Sequence, residues 1–305
     1  MNPPRCAFGA SPQGGRRQRP GEAGSAAAAW LRWIRGSHVP LRRRGLLLGT
    51  CAVLATALAG CATAPGPVPE VRQALAPSGT LRVAVYSGSP TSMVRAAGSG
   101  EMRGLSVEIG RELARRLGVA AEIMVFQSVA EVVDALKDGR ADFTITNATP
   151  ARAQVVDFTP PLVALELGYL ALPGSPVQSL ADVDRPGMRI GVSQGSTSQG
   201  TLTREFKLAR VVAAPSLQAA GEMLQRREID AFATNKAVLY ELGDGLPGAR
   251  VLDGRWGLEH LAIAVPKGRG AASQYLRSFA QSVRGDGLVQ AASSRAGLRG
   301  TADLP

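Results

Sequence analysis

Residues 141–147, Ala-Asp-Phe-Thr-Ile-Thr-Asn, set the pattern from which the rest of the chain is read. Phe143 and Ile145 alternate with Thr144 and Thr146, the period of a strand with one face in a core, and the strand ends at Asn147. Residues 81–86 alternate in the same way after Gly79 and predict a first strand. Leu105, Ile109, Leu113 and Leu117 recur at four-residue spacing and predict a helix that Gly118 ends. Residues 122–126 predict a second strand. Ser128 with Glu131 is a capping box opening a helix that runs to Asp138. The order β-α-β-α-β is the grammar of a mostly parallel sheet.

The grammar recurs 88 residues on. Ser128, Leu136, Asp142 and Asn147 are matched by Ser216, Leu224, Asp230 and Asn235, and the strand at 122–126 by an apolar run at 210–214. Matching residues and matching elements predict two similar lobes. In each, a strand that begins at an Asp ends five residues later at an Asn. Ligands of open α/β sheets bind beyond the carboxyl ends of strands, so Asn147 and Asn235 are expected to face each other across a cleft. Two extended apolar runs, 163–172 and 257–265, are suited to crossing between the lobes, and 271–296 reads as two helices separated at Gly285 and Gly287. The first lobe then comprises 78–166 and 263–305, the second 167–262, with a two-strand hinge between them.

Candidate chemistry clusters at two helix starts. Thr149 and Pro150 are a capping hydroxyl followed by a first-turn proline, which places Arg152 at the third helical position. A cation there opposes the helix dipole, an arrangement that suits a shared anion as well as a solvated surface arginine. In the second lobe, Gly195, Ser196 and Thr197 open a helix with exposed N–H groups and two hydroxyls, a seat for an anion or an ordinary cap. Gly191-Val192-Ser193-Gln194-Gly195 also fits Gly-x-Ser-x-Gly, and Ser193, Asp230 or Asp253, and His260 follow in the order of a hydrolase triad. His260, however, sits inside an apolar alternation rather than on a loop.

Composition changes this picture mainly at the amino terminus. The 305 residues, 45% hydrophobic and 19% charged, suffice for one large or two medium domains. The net charge of +11 owes much to residues 1–60, which hold nine Arg and one Glu. The remaining 26 basic and 23 acidic residues make no case for nucleic acid. Arg42, Arg43 and Arg44 precede an apolar run over 46–59, too short to span a bilayer and laid out as a secretory signal. The run ends in Leu58-Ala59-Gly60-Cys61, which resembles the lipobox of bacterial lipoproteins, and Arg43-Arg44-Gly45-Leu46-Leu47 resembles a twin-arginine signal. Residues 1–60 are therefore read as a leader that is removed, Cys61 as the lipidated first residue, and 61–77 as a tether. The leader is either unusually long or translated from nearer Val39. With Cys61 lipidated, no internal disulfide is available, and no metal-ligand cluster or cofactor motif is present.

Five segments carry a resemblance: 79–85 (GTLRVAV), 104–118 (GLSVEIGRELARRLG), 136–142 (LKDGRAD), 149–159 (TPARAQVVDFT) and 191–197 (GVSQGST). In this order they resemble the extracellular amino-acid-binding proteins of bacterial ABC importers, over residues 78–297. The resemblance implies an α/β, two-lobed periplasmic-binding-protein fold of type II, each lobe a mostly parallel sheet flanked by helices, that closes on its ligand. It implies that Arg152 grips the ligand carboxylate, that Asn147 offers a polar group, and that Thr197, with Ser196 beside it, touches the carboxylate. Where the family places an aspartate for the ligand ammonium, this chain has Asn235. The aromatic-rich segment after the first strand is replaced by Tyr-Ser-Gly-Ser-Pro-Thr-Ser-Met, leaving Tyr86 and Phe126 as the nearest aromatics to line a cleft.

The expected function is a lipid-anchored, monomeric binding protein of the periplasm or cell envelope. It would pass an amino acid or related small carboxylate to an ABC permease. Two enzymatic readings stand beside it. One is a cyclohexadienyl dehydratase on the same fold, with Glu101, Glu166 or Asp157 as acid or base. The other is the serine hydrolase built on Ser193.

Overall fold

The computed structural model describes residues 69–304, which belong to a compact unit spanning Ala64–Pro305. The leader, Cys61 and the tether up to residue 68 lie outside the described residues. The chain enters through helix α1 (Pro69–Leu75) and strand β1 (Thr80–Tyr86), followed by a small hairpin of β2 (Val94–Arg95) and β3 (Met102–Arg103). Helix α2 (Leu105–Leu117), β4 (Ala120–Phe126), α3 (Val129–Lys137), β5 (Thr144–Asn147), the single turn α4 (Pro150–Ala153) and β6 (Val156–Phe158) complete this run. Strand β7 (Val163–Ala171) crosses to the second lobe. That lobe is built from β8 (Arg189–Ser193), α5 (Thr197–Glu205), β9 (Arg210–Ala214), α6 (Leu217–Gln225), β10 (Ala231–Asn235), α7 (Lys236–Asp244) and the short β11 (Arg250–Val251). Strand β12 (Gly257–Pro266) crosses back, and α8 (Ser273–Gly285), α9 (Leu288–Arg295) and β13 (Thr301–Ala302) follow.

Each lobe is a mostly parallel sheet flanked by helices. In the first, β4 pairs in parallel with β1, and β1 meets the chain entering β5 through a parallel bridge from Val83 to Phe143. In the second, β10, β8 and β9 are parallel. The crossing strands join these sheets. β12 runs antiparallel to β5 and to β7, β7 runs antiparallel to β10, and β7 and β12 pair with each other from Leu167↔Gly257 to Val163↔Leu261. This two-strand crossing is the hinge. Helices α2, α8 and α9 bury Leu113, Leu117, Phe279, Val283 and Ala292 against Val83, Phe143 and Ile263, so the carboxyl-terminal helices share the first lobe's core.

The 88-residue echo has a physical basis in two matching ion pairs. The carboxylate of Asp142 accepts from the backbone N–H of Arg82 (3.0 Å), from its Nε (2.7 Å) and from its Nη2 (2.8 Å). Asp230 does the same for Arg189, at 2.8, 3.1 and 2.8 Å. In each lobe the Asp ahead of the site strand thereby locks that strand to its parallel neighbour. The expected caps are also present: Ser128 accepts from the Glu131 N–H, Ser216 from Ala219 and Thr149 from Arg152.

Two elements differ from the sequence reading. The stretch assigned to a tether through residue 77 contains α1, whose Val71 and Leu75 are buried in the first lobe's core. Their four-residue spacing puts both on one helix face. The helix expected after Thr149 is a single turn, because Val156–Phe158 pairs with β12 immediately afterwards.

Candidate functional site

The ends of β5 and β10, the start of α5 and the hinge strand β12 converge on one small, polar cavity of about 30 Å³, room for a water molecule or two. Larger surface grooves exist, such as one of about 330 Å³ along Leu172, Arg189 and Leu224, which is lined by none of the expected ligand-binding residues. Of the residues singled out from the sequence, Tyr86, Asn147, Arg152, Ser196, Thr197 and Asn235 all line the cavity. Phe126 is placed elsewhere. It packs on the cluster of Val132 and Leu136 with the Arg140 guanidinium 5.8 Å above its ring, and does not line the cavity.

The Arg152 guanidinium enters from the first lobe. Its Nη1 donates to the Thr146 hydroxyl at 2.7 Å and to the Asn147 carbonyl at 3.4 Å, while Nε and Nη2 donate to no described residue. Burial pulls the pKa of this arginine down, and the carboxylate of Glu259 opposes it. An arginine still holds its proton under such conditions, so the cavity contains a fixed cation with unused donors. The phenol of Tyr86 is pushed above its ordinary value, first by burial and further by Glu259, with a hydrogen bond to Ser89 in opposition. Tyr86 remains neutral and packs on hydrophobic clusters of both lobes.

Hydrogen bonds close the cavity from lobe to lobe. Asn147 Nδ2 donates to Thr197 Oγ1 at 3.2 Å, and Thr197 Oγ1 donates to Glu259 Oε1 at 2.9 Å. Asn235 Nδ2 donates to Glu259 Oε2 at 3.1 Å. Asn147 Oδ1 accepts the backbone N–H of His260 at 3.0 Å, fixing the amide against the hinge. Ser196 lines the cavity and its hydroxyl accepts from the Gln199 N–H to cap α5, but it donates to no described residue, whereas the Thr197 hydroxyl both accepts from Asn147 and donates to Glu259. Gly195 adopts φ +67°, and a Cβ there would lie 2.5 Å from the Ala130 side chain of the first lobe.

Sequence reasoning missed Glu259. This residue is 7% exposed and sits on β12 two positions before Leu261, which also lines the cavity. The signal was its acidic side chain in the run Leu-Glu-His-Leu-Ala-Ile-Ala-Val, at a two-residue period from Leu261. Thr91, Thr146 and Thr234 were missed as well and give the walls further hydroxyls. The carboxylates considered for acid–base work lie away from the cavity: Glu101 pairs with Arg103, Asp157 with Lys267, and Glu166 with Lys236 and Arg255. The triad of the hydrolase reading is not assembled, since Asp230 is engaged by Arg189 and Ser193 makes no side-chain hydrogen bond to His260.

Two parallel-sheet lobes on a two-strand hinge, with a polar site between the strand ends, define the class of two-lobed solute receptors with the type II periplasmic-binding fold. The chain belongs to the bacterial extracellular solute-binding proteins, family 3, whose model matches residues 81–296. A curated relative, the ABC transporter glutamine-binding protein GlnH of Bacillus subtilis (strain 168), is 23% identical over 193 residues, 62% of this chain and 70% of that protein. Among solved structures, the solute receptor for L-cysteine of Neisseria gonorrhoeae matches with a TM-score of 0.66 at 24% identity, covering 74% of this chain and 92% of that one. The ancestral amino-acid-binding protein AncCDT-1, described as a precursor of cyclohexadienyl dehydratase, matches with a TM-score of 0.64 at 21% identity, covering 73% and 98%. These likenesses establish the fold, and the family makes this an amino-acid-type solute-binding protein of the ABC transport class.

Proposed function

We propose that the protein is the lipid-anchored, monomeric substrate-binding subunit of an ABC importer, capturing an amino acid or a closely related small carboxylate by lobe closure. The observation that carries this reading is Arg152, a part-buried guanidinium on the cavity wall with Nε and Nη2 unengaged by described residues. Planar, paired donors of this kind match a carboxylate in two-point geometry. The amino end of α5 takes the other side of the same group: Ser196 keeps its hydroxyl proton for it, and Thr197 would join once its proton turns from Glu259 to the ligand.

One such charge-assisted contact contributes about 1.5–3 kcal/mol, whereas micromolar affinity requires about 8.2 kcal/mol. The balance must come from enclosure by both lobes, so the interlobe contacts of Asn147, Thr197 and Gly195 belong to the binding mechanism. Anchoring through Cys61 holds the receptor at the envelope near its permease. Mass spectrometry of the exported protein tests this, with a diacylglycerol-modified Cys61 as the expected amino terminus.

The direct test of the binding reading is a thermal-shift screen of amino acids, opines and small organic acids, because a ligand specific to the folded state raises the melting temperature. Arg152→Ala should abolish the shift. An unchanged shift in that variant would refute the carboxylate reading.

A second reading, a dehydratase on the same fold, is favoured by one observation: Glu259 places a carboxylate inside the cavity. Turnover of prephenate or arogenate by the wild type, lost in Glu259→Gln, would establish it.

A further inference from the structure

Two charged side chains line the cavity, Arg152 and Glu259, and they do not neutralise each other. No ion pair within 4.0 Å joins them. Arg152 turns to Thr146 and Asn147, while the Glu259 oxygens each accept one hydrogen bond, from Thr197 and from Asn235. A carboxylate has about four lone-pair sites, so Glu259 keeps roughly two for another donor. The rest of the wall is uncharged: hydroxyls, two amides, the Tyr86 phenol and the aliphatic Val129, Ile145 and Leu261. The cavity thus presents a cation with spare donors and an anion with spare acceptors, held apart.

Asn235 explains why the negative charge is carried by the hinge. Its Oδ1 accepts the Val238 N–H at 3.1 Å and caps α7, which turns Nδ2 toward Glu259. An aspartate at 235 would cap equally well but would set a second carboxylate about 3 Å from the first, where like charges disfavour joint ionisation. One negative charge is accommodated at this end of the cavity, and here it is Glu259.

We infer that Glu259 is the counter-charge for the ligand's α-ammonium and that the ligand is an α-amino acid with an uncharged side chain. Arg152 takes the carboxylate, Glu259 takes the ammonium, and no charged wall group remains for a third ionised centre. The inference rests on the amino-acid reading of the cavity, but the two can fail separately.

The test is titration calorimetry of the purified protein with glycine, L-alanine, L-serine, L-cysteine and L-glutamine, against L-arginine, L-lysine and L-glutamate. At least one neutral member should bind, and the charged members at least about tenfold more weakly. Glu259→Gln should weaken the best neutral ligand by about 10- to 100-fold. Adding Asn235→Asp to that variant should recover at least about fivefold, a rescue that a purely structural Glu259 would not give. Should Glu259→Gln fail to fold, wild-type discrimination between L-alanine and propionate decides, with a strong preference for alanine expected. The inference is overturned if Glu259→Gln binds within about threefold of wild type, if a charged amino acid binds tightest, or if propionate binds as well as alanine. Failure of every amino acid to bind, or full binding by Arg152→Ala, would instead remove the amino-acid reading beneath it.

Discussion

The Asn147 amide donates to the Thr197 hydroxyl at 3.2 Å, linking the end of a first-lobe strand to the first helical residue of a second-lobe helix. The hydroxyl in turn donates a hydrogen bond to Glu259, so a single side chain connects both lobes and the hinge. On the proposed function, closure and recognition are therefore coupled through the same atoms.

Replacing Thr197 by Val keeps the shape of the side chain and removes both hydrogen bonds. Ligand affinity should fall by about 1–2 kcal/mol, roughly 5- to 30-fold. The helix cap at Ser196 is untouched, but the buried Glu259 carboxylate loses a donor in the unliganded protein as well, so the melting temperature should fall along with the affinity. Calorimetry and a thermal melt on the same sample check both expectations.

Arg152→Lys retains the charge and loses the fork. A lysine offers one compact ammonium in place of paired planar donors, so affinity should drop by about tenfold or more, with Arg152→Ala lower still. Recovery of wild-type affinity by the lysine variant would show that charge alone matters at this position.

Gly195 meets two constraints at once. Its φ of +67° disfavours any residue with a Cβ by about 1–2 kcal/mol, and an added methyl would collide with Ala130 across the lobe boundary. Gly195→Ala should lower both stability and ligand affinity. Adding Ala130→Gly should restore affinity and leave the stability loss, because it relieves the collision and not the backbone strain. Equal recovery of both quantities would contradict the assignment.

Asp142 governs acid stability. Burial by itself would raise its pKa, but hydrogen bonds from Arg82 and Arg269 outweigh burial and the net shift is downward. A carboxylate depressed in the folded state stabilises the protein above its unfolded pKa of about 3.9, and this contribution fades as pH falls through the lower folded value. Asp142→Asn should therefore cost up to about 3 kcal/mol at neutral pH, the low end for breaking a buried pair, because the carboxylate is buried while its partner Arg82 keeps 23% exposure. The gap to wild type should narrow below about pH 4. Urea melts across pH 3–7 measure it. Asp230→Asn should cost less, since its partner Arg189 is 40% exposed.

Much of this was legible in the chain because it is set by local chemistry. Alternating Phe143 and Ile145, the four-residue spacing of Leu105 to Leu117 and the caps at Ser128, Thr149 and Ser216 act within a few residues, so their consequences can be read in order. The echo of Asp142 and Asn147 at Asp230 and Asn235 marked two lobes because each Asp performs the same lock on its neighbouring strand. The placement of Arg152 at a capped helix start followed from the same local rules.

Tertiary pairing decided the rest. Phe126 and Tyr86 end parallel strands in register with each other and both pack on the Val132 cluster, yet only Tyr86 also reaches the second lobe's core and lines the cavity. Glu259 was one acidic residue in an apolar run until β12 paired with β5 on one side and β7 on the other, opposing Leu261 to Asn147 and Glu259 to Leu165. Side-chain period along a strand is local, but which face meets the cleft depends on partners about a hundred residues away in sequence. The sequence by itself determined the lobes and the cation of the site, while the anion and its separation from Arg152 were decided by the hinge.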